Sequence, residues 1–312
     1  MHNIKYLRVV LTDRCNLKCF FCHKEGCEIE NNKMELSYEN LYKLIFMFIK
    51  CGIKKIKLMG GEPTLYECII DLIKEVKKYD SSTDLSIITN GTAPSIIYEK
   101  MVNAGIDRIN ISLHGYDLEL FKKITKGTEK QFDTLFKNID YLNEINILGK
   151  INYVLLKDTN EEEFQRVLEY IHKNNYTLDV LNYLSDNPEN IKKYYYSYFD
   201  IKKIIQSKYS FEMESTYKNP NSIDSHRIYL YGGGIINLKI NELRDYDFLN
   251  HCEKCYKKEM CKEGIAAIRL TNSGIIKPCL FRDDLDYDLL KDFENYGAEQ
   301  STNNLLKYLC EL

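Results

Sequence analysis

The sequence predicts an α/β fold: an open barrel of six consecutive βα units, followed by a smaller α+β unit. Three observations predict it. From residue 5 to about 183, short β-branched runs alternate with amphipathic stretches. Those stretches carry apolar residues at three- and four-residue spacing, as helices with one buried face do. After about residue 184 the alternation gives way to a Tyr- and Lys-rich segment (Tyr194, Tyr195, Tyr196, Tyr198), then restarts as β-like runs. The boundary is expected near residue 205, dividing the chain into 1–205 and 206–312.

In chain order, the strand candidates are Tyr6–Leu11, Lys55–Leu58, Leu85–Thr89, Arg108–Leu113, Ile151–Leu156 and Leu178–Tyr183. The helical patterns between them cover about Ser37–Lys50, Cys68–Lys78, Pro94–Ala104, Lys130–Asn146 and Glu161–Asn174. Ser37 reads as an N-cap and Gly52 as a C-terminal stop. Six units are too few to close an eight-stranded ring, so the expected form is a partial (βα)6 barrel of the TIM type. In such folds chemistry gathers at the C-terminal ends of the strands.

The 312 residues are 44% hydrophobic with a formal net charge of −3, enough apolar content for a large core and no cationic surplus that would draw nucleic acid or an anionic membrane. No run of 18 apolar residues occurs, and Met1 to Arg8 leads straight into a strand-like run without a signal pattern. A cytoplasmic protein with no nucleic-acid or membrane partner is expected. Seven of the eleven cysteines fall in two groups, at 15–22 and 252–279. In a reducing compartment such grouping points to metal binding or catalysis rather than disulfides.

Cys15, Cys19 and Cys22 form Cys-x3-Cys-x2-Cys directly after the first strand, with Phe21 before the third cysteine. Three thiolates on one loop can ligate three irons of a cubane cluster and leave the fourth open to a substrate. A structural zinc site is the alternative, with His23 or Cys27 as its fourth ligand. Strand two then ends in Met59-Gly60-Gly61-Glu62-Pro63, where two glycines permit close backbone approach and a carboxylate can receive an ammonium group.

This pair of motifs resembles the radical S-adenosylmethionine (SAM) superfamily. The resemblance implies that Cys15, Cys19 and Cys22 hold a [4Fe–4S] cluster whose open iron binds the methionine end of SAM. It also implies that Gly60, Gly61, Glu62 and Pro63 meet the SAM amino group, and that Thr89, Asn90 and Ser112 line the SAM pocket. The cluster, reduced by a flavodoxin- or ferredoxin-type donor, would cleave SAM to a 5′-deoxyadenosyl radical that takes hydrogen from a substrate.

Leu7–Cys15, Cys22–Gly26, Asp107–Ser112, Asn152–Lys157, Arg227-Ile228-Tyr229 and Gly232-Gly233-Gly234 resemble, within that superfamily, the molybdenum-cofactor GTP cyclase branch. That branch carries a C-terminal α+β domain, of the twitch or SPASM type, with an auxiliary [4Fe–4S] cluster. Departures accompany the likeness. Cys252, Cys255 and Cys279 match the auxiliary ligands, while Cys261 adds a fourth thiolate that would close the cluster. Cys261-x12-Gly274-x4-Cys279 resembles the hairpin of auxiliary-cluster domains, with Asn272-Ser273-Gly274 as its turn. Ile265-Ala266-Ala267-Ile268 replaces most of an Arg-rich segment, leaving Arg8 as the cation expected to meet phosphate. The chain ends Lys307 to Leu312 without a Gly-Gly pair.

A closed second cluster favours a redox role, and hence modification of a ribosomally made peptide or a small metabolite, even though Cys15 leaves little room for a leader-binding domain ahead of it. A divergent GTP 3′,8-cyclase is the alternative, and a purely structural iron–sulfur protein the third reading. Cys27, Cys51, Cys68 and Cys310 are expected to be small buried hydrophobes, unless one serves as a hydrogen donor.

Overall fold

The computed structural model describes residues 4, 6–24, 35–185, 187–217, 225–239, 250–253, 255 and 267–312. Six parallel strands lie side by side in sequence order: β1 (Tyr6–Val10), β2 (Lys55–Met59), β3 (Asp84–Thr89), β4 (Arg108–Ser112), β5 (Leu148–Val154) and β6 (Thr177–Leu181). Between them run α1 (Tyr38–Lys50), α2 (Ile69–Tyr79), α3 (Ser95–Asn103), α4 (Leu118–Thr125), α5 (Glu129–Glu144) and α6 (Glu161–Asn174). The partial (βα)6 barrel is therefore present. Ser37 caps α1 by accepting from the Asn40 amide at 3.2 Å, and Gly52 follows the helix at φ 96°. The eight-residue α4 is absent from the sequence reading because it is too short to show a helical period; Asp117 caps it and Lys126 ends it in the left-handed region.

The second half of the chain begins with α7 (Pro188–Tyr194), α8 (Tyr198–Lys208), β7 (Phe211–Tyr217), β8 (Ser225–Leu230) and β9 (Ile235–Lys239). It continues through the short α9 (Asn250–Glu253), β10 (Ala267–Leu270), β11 (Ile275–Lys277), β12 (Tyr287–Asp288) and α10 (Leu289–Glu311), the last broken at Gly297. Its strands extend the same sheet at both edges. β9 pairs parallel with β6 and β10 parallel with β1, while β8, β7, β11 and β12 continue outward antiparallel. The hairpin expected at Asn272-Ser273-Gly274 joins β10 to β11, with the Gly274 amide on the Thr271 carbonyl at 3.0 Å. Among the described residues no helix is long and apolar enough to cross a membrane.

Strand side chains alternate between the two faces of the sheet, and here the faces differ in kind. Leu7, Val9, Ile56, Leu58, Leu85, Ile87, Ile109, Ile111, Ile151 and Tyr153 are wholly buried and join one apolar core. Their neighbours one position away line an internal cavity instead: Arg8, Lys57, Ser86, Asn110 and Asn152 among them. A closed eight-stranded barrel fills its centre with branched apolar residues. This lumen is polar and open.

Candidate active site

The loop after β1 carries Cys15, Cys19 and Cys22 to one end of a cavity of about 630 Å³ that follows the barrel lumen. The turn after β2 holds that loop in place: the Gly61 amide donates to the Thr12 carbonyl and the Glu62 amide to the Arg14 carbonyl, both at 2.7 Å. The glycines are needed for this contact. A Cβ on Gly60 would lie 2.5 Å from the Thr12 oxygen, and one on Gly61 2.3 Å from that of Arg14. The close approach that the sequence assigns to a ligand is thus, first, an approach to the cysteine loop. On its other side the loop is tied to the end of α4 through Lys18 and Phe20 amides on the Thr125 and Ile124 carbonyls.

Two of the three sulfurs already accept backbone donors, Cys15 from the Leu17 amide and Cys22 from the Lys24 amide, each at 3.4 Å. Such bonds stabilise thiolate sulfur in iron–sulfur sites. Burial pushes the Cys19 thiol up to about 12, with Cys22 and Cys15 adding to it; burial, opposed by the Leu17 amide, also raises Cys15. The thiols sense one another, and their joint ionisation calls for bound positive charge. Among the described residues no three Cys, His, Asp or Glu side chains converge on one ion. Three cysteine thiols on one loop, two of them met by backbone amides, are a donor set that a cysteine-ligated [4Fe–4S] cluster uses.

Glu62 lies at the same end and is 1% exposed. Its Oε1 accepts from the Thr64 amide (3.1 Å) and from the hydroxyls of Thr64 and Thr89 (both 2.7 Å), while Oε2 accepts from the Asn90 amide (2.8 Å). Burial pushes its carboxyl up against these donors. Oε2 retains acceptor capacity for a further donor. The Asn90 side-chain amide donates to the Asn16 side-chain oxygen Oδ1 at 2.7 Å and so reaches the cysteine loop. Gly60, Gly61, Glu62, Thr89, Asn90 and Ser112 all line the cavity; Pro63 is buried and opens the 3-10 turn Pro63–Leu65 behind it.

One residue of this region is not foreseen from the sequence. His114 lines the cavity, its ring meets Phe21 edge-on at 5.1 Å, and its buried Nδ1 has no hydrogen-bond partner. Burial lowers its imidazole to about 4, so it is neutral. Only its position two residues after Ser112 could have signalled it.

Deeper in the lumen the lining is charged. Arg8, Lys55, Lys57, Arg108, Lys150 and Arg227 project from five strands, against Asp84 and Asp179. Lys55 approaches Asp84 at 3.8 Å, Arg108 also pairs with Asp84, and Lys150 pairs with Asp179. Asp179 accepts from the Asn237 amide (2.8 Å), whose oxygen accepts from Arg227 Nε (3.0 Å); the Arg227 guanidinium stacks 3.9 Å from the Tyr217 ring centroid. Arg269 is buried in register with Arg8. Arg8 is therefore not alone, as the sequence reading has it. The signal was present as polar residues at every second position of strands, Lys55 and Lys57 or Arg108, Asn110 and Ser112, but face cannot be assigned before the sheet is known.

The second cysteine group is partly described. The Cys255 amide donates to the Cys252 carbonyl at 3.2 Å, and Cys279 Sγ accepts from the Phe281 amide at 3.4 Å, the same i+2 pattern as at Cys15 and Cys22. Leu280, beside Cys279, lines the cavity. Cys261 and Cys27 lie outside the described residues. Cys51 is buried, Cys68 half-buried and Cys310 exposed.

Comparison with known proteins agrees with this geometry. The family described as the radical SAM superfamily matches residues 9–171. A probable GTP 3′,8-cyclase of Methanococcus aeolicus is 33% identical over 307 residues, covering 95% of this chain and 92% of that protein. One of Thermoplasma volcanium is 32% identical over 307 residues, covering 96% and 86%. Among solved structures, Streptococcus suis SuiB bound to precursor peptide SuiA superposes with a TM-score of 0.61 at 17% identity, over 89% of this chain and 60% of SuiB. AnSMEcpe with bound AdoMet gives 0.58 at 14%, over 98% and 88%. These structural likenesses show the fold. With the cysteine loop, the Gly-Gly-Glu-Pro turn that grips it and the partial barrel all in place, the chain belongs to the radical SAM superfamily, whose members use a [4Fe–4S] cluster and SAM.

Proposed function

We propose that this chain is a GTP 3′,8-cyclase, taking GTP in the lumen and SAM at the cysteine end. The observation that carries this reading is the charged lumen. Arg8, Lys55, Lys57, Arg108, Lys150 and Arg227 surround a cavity that holds far fewer carboxylates, a lining suited to a triphosphate and costly to keep around a neutral substrate. Arg227 is already oriented by Tyr217 and Asn237, leaving its two terminal nitrogens for a bidentate phosphate contact. The relatives' names support the same substrate. Modification of a peptide or small metabolite was favoured by Cys261 as a fourth ligand, and Cys261 lies outside the described residues.

In this reading Cys15, Cys19 and Cys22 hold the first cluster, and Cys252, Cys255 and Cys279 a second, with Cys261 as the candidate fourth ligand. When bound, the first cluster supplies the electron, received from a flavodoxin- or ferredoxin-type donor, that cleaves SAM. The chain's own residues do the rest. Glu62 Oε2 takes the SAM ammonium, Gly60, Gly61 and Pro63 shape the turn beneath it, and Thr89, Asn90 and Ser112 border the pocket. Residues 206–312 contribute Arg227 and Leu280, beside Cys279, to a lumen lined mainly by 1–205. The test is anaerobic incubation of reconstituted protein with SAM, a reductant and GTP. Formation of a C3′–C8 bond in GTP, together with 5′-deoxyadenosine, is expected; SAM cleavage that is indifferent to GTP, with GTP recovered unchanged, would return the peptide or metabolite reading to first place.

A further inference from the structure

We infer that Arg282 is a positioning residue for the second cysteine site, pinning the turn that bears Cys252 and Cys255 to the loop that bears Cys279. The inference rests on the reading that these cysteines hold a cluster. Arg282 stands three residues after Cys279, and its Nη1 donates to the carbonyl of His251, the residue before Cys252, at 3.0 Å. The positive charge of the same guanidinium interacts favourably with the Cys255 side chain. Asp284 fixes its plane by a two-point contact, accepting from Nε at 2.8 Å and also from Nη2. Two segments far apart in sequence are thus joined through one planar cation.

The loop around Arg282 is braced independently. Lys277, two residues before Cys279 and 8% exposed, donates to Asp283 (2.5 Å) and Asp286 (2.8 Å), which folds the residues after Cys279 back on β11. Arg282 is therefore presented from a fixed platform. A guanidinium is suited to this task because its donors are rigidly forked, so one side chain can serve a carbonyl and a carboxylate together while its charge acts on a nearby sulfur. Partners outside the metal shell orient the ligands, and hydrogen bonds to cluster sulfur shift its potential. A cation whose charge acts on Cys255 favours the reduced, more negative cluster.

The test uses full-length reconstituted protein and the variants Arg282→Gln, Arg282→Lys and Cys255→Ser, read by iron content, iron release to a ferrous chelator and an EPR-monitored redox titration. In Arg282→Gln, second-site iron should leave about tenfold faster than in the unmodified protein, while first-site iron and SAM binding are unchanged. Its second-cluster signal should titrate lower, by about a tenfold change in the reduced-to-oxidised ratio at fixed potential, roughly 59 mV for one electron. Arg282→Lys, which keeps the charge and loses the fork, should restore the potential more than the release rate. Equal release and equal potential in Arg282→Gln would overturn the inference while leaving the second cluster standing. If Cys255→Ser loses no iron, the second-cluster reading itself fails, and the inference with it.

Discussion

The two ends of the lumen handle burial by different chemistry. At the cysteine end the buried carboxylate of Glu62 is met by four donors from Thr64, Thr89 and Asn90, all uncharged and two of them on the adjacent strand-end residues Thr89 and Asn90. At the far end Asp84 and Asp179 are met by lysine and arginine side chains from neighbouring strands. The first arrangement is fixed by short connections and serves one geometry. Among the described residues the second has more cations than carboxylates, a balance suited to the anionic substrate proposed above. A rigid neutral cradle suits a cofactor held the same way in every turnover, and a cationic well suits a substrate that must come and go.

The largest effect should come from breaking the first end. Cys15→Ala, Cys19→Ala or Cys22→Ala is expected to reduce 5′-deoxyadenosine formation to the no-enzyme background while GTP still binds the lumen by calorimetry. Residual cleavage in any of the three would detach the chemistry from this loop.

Next comes the neutral cradle. Glu62→Gln puts an NH2 group where both carboxylate oxygens now receive donors, so at least one buried amide loses its acceptor. About 1–3 kcal/mol of stability should be lost and SAM binding weakened, with iron content retained. Parallel loss of iron would instead make Glu62 a support of the cysteine loop alone.

The cationic end is sharpened by Arg227→Gln, which removes the charge that Tyr217 and Asn237 orient. GTP affinity should fall about tenfold to a hundredfold with SAM affinity unchanged, by the usual strength of charge-assisted bonds. An unchanged GTP affinity would move the phosphate site toward Arg8 and Arg269.

The smallest effect lies outside the lumen. The hydroxyl and amide of Ser82, with Thr83 and Lys54, hold the Asp80 carboxyl down at about 2. A depressed carboxyl adds stability that is complete above its unfolded value near 3.8 and is lost as pH falls toward 2. Asp80→Asn should flatten acid unfolding slightly over that window and leave both lumen ends untouched; an unaltered acid limb would show that other carboxyls dominate it.

The sequence by itself determined the elements whose signal is local. Strand runs, helix periods, the Ser37 cap, the Gly274 turn and both cysteine spacings depend on neighbours within a few residues, and they were legible for that reason. Through the family resemblance it also assigned Glu62, Thr89, Asn90 and Ser112 to one site, and all four line the same cavity. Tertiary structure alone decided three other matters. It showed that Gly60 and Gly61 are required by the approach of Thr12 and Arg14, since a Cβ clash needs the partner backbone in place. It put the strands of the second half on both edges of the first half's sheet, a pairing between residues such as Arg8 and Arg269 that no local pattern encodes. And it turned alternate strand positions inward, so that lysines and arginines from distant segments form one charged lumen; alternation fixes that two faces exist, but only closure of the curved sheet decides which of them encloses a cavity.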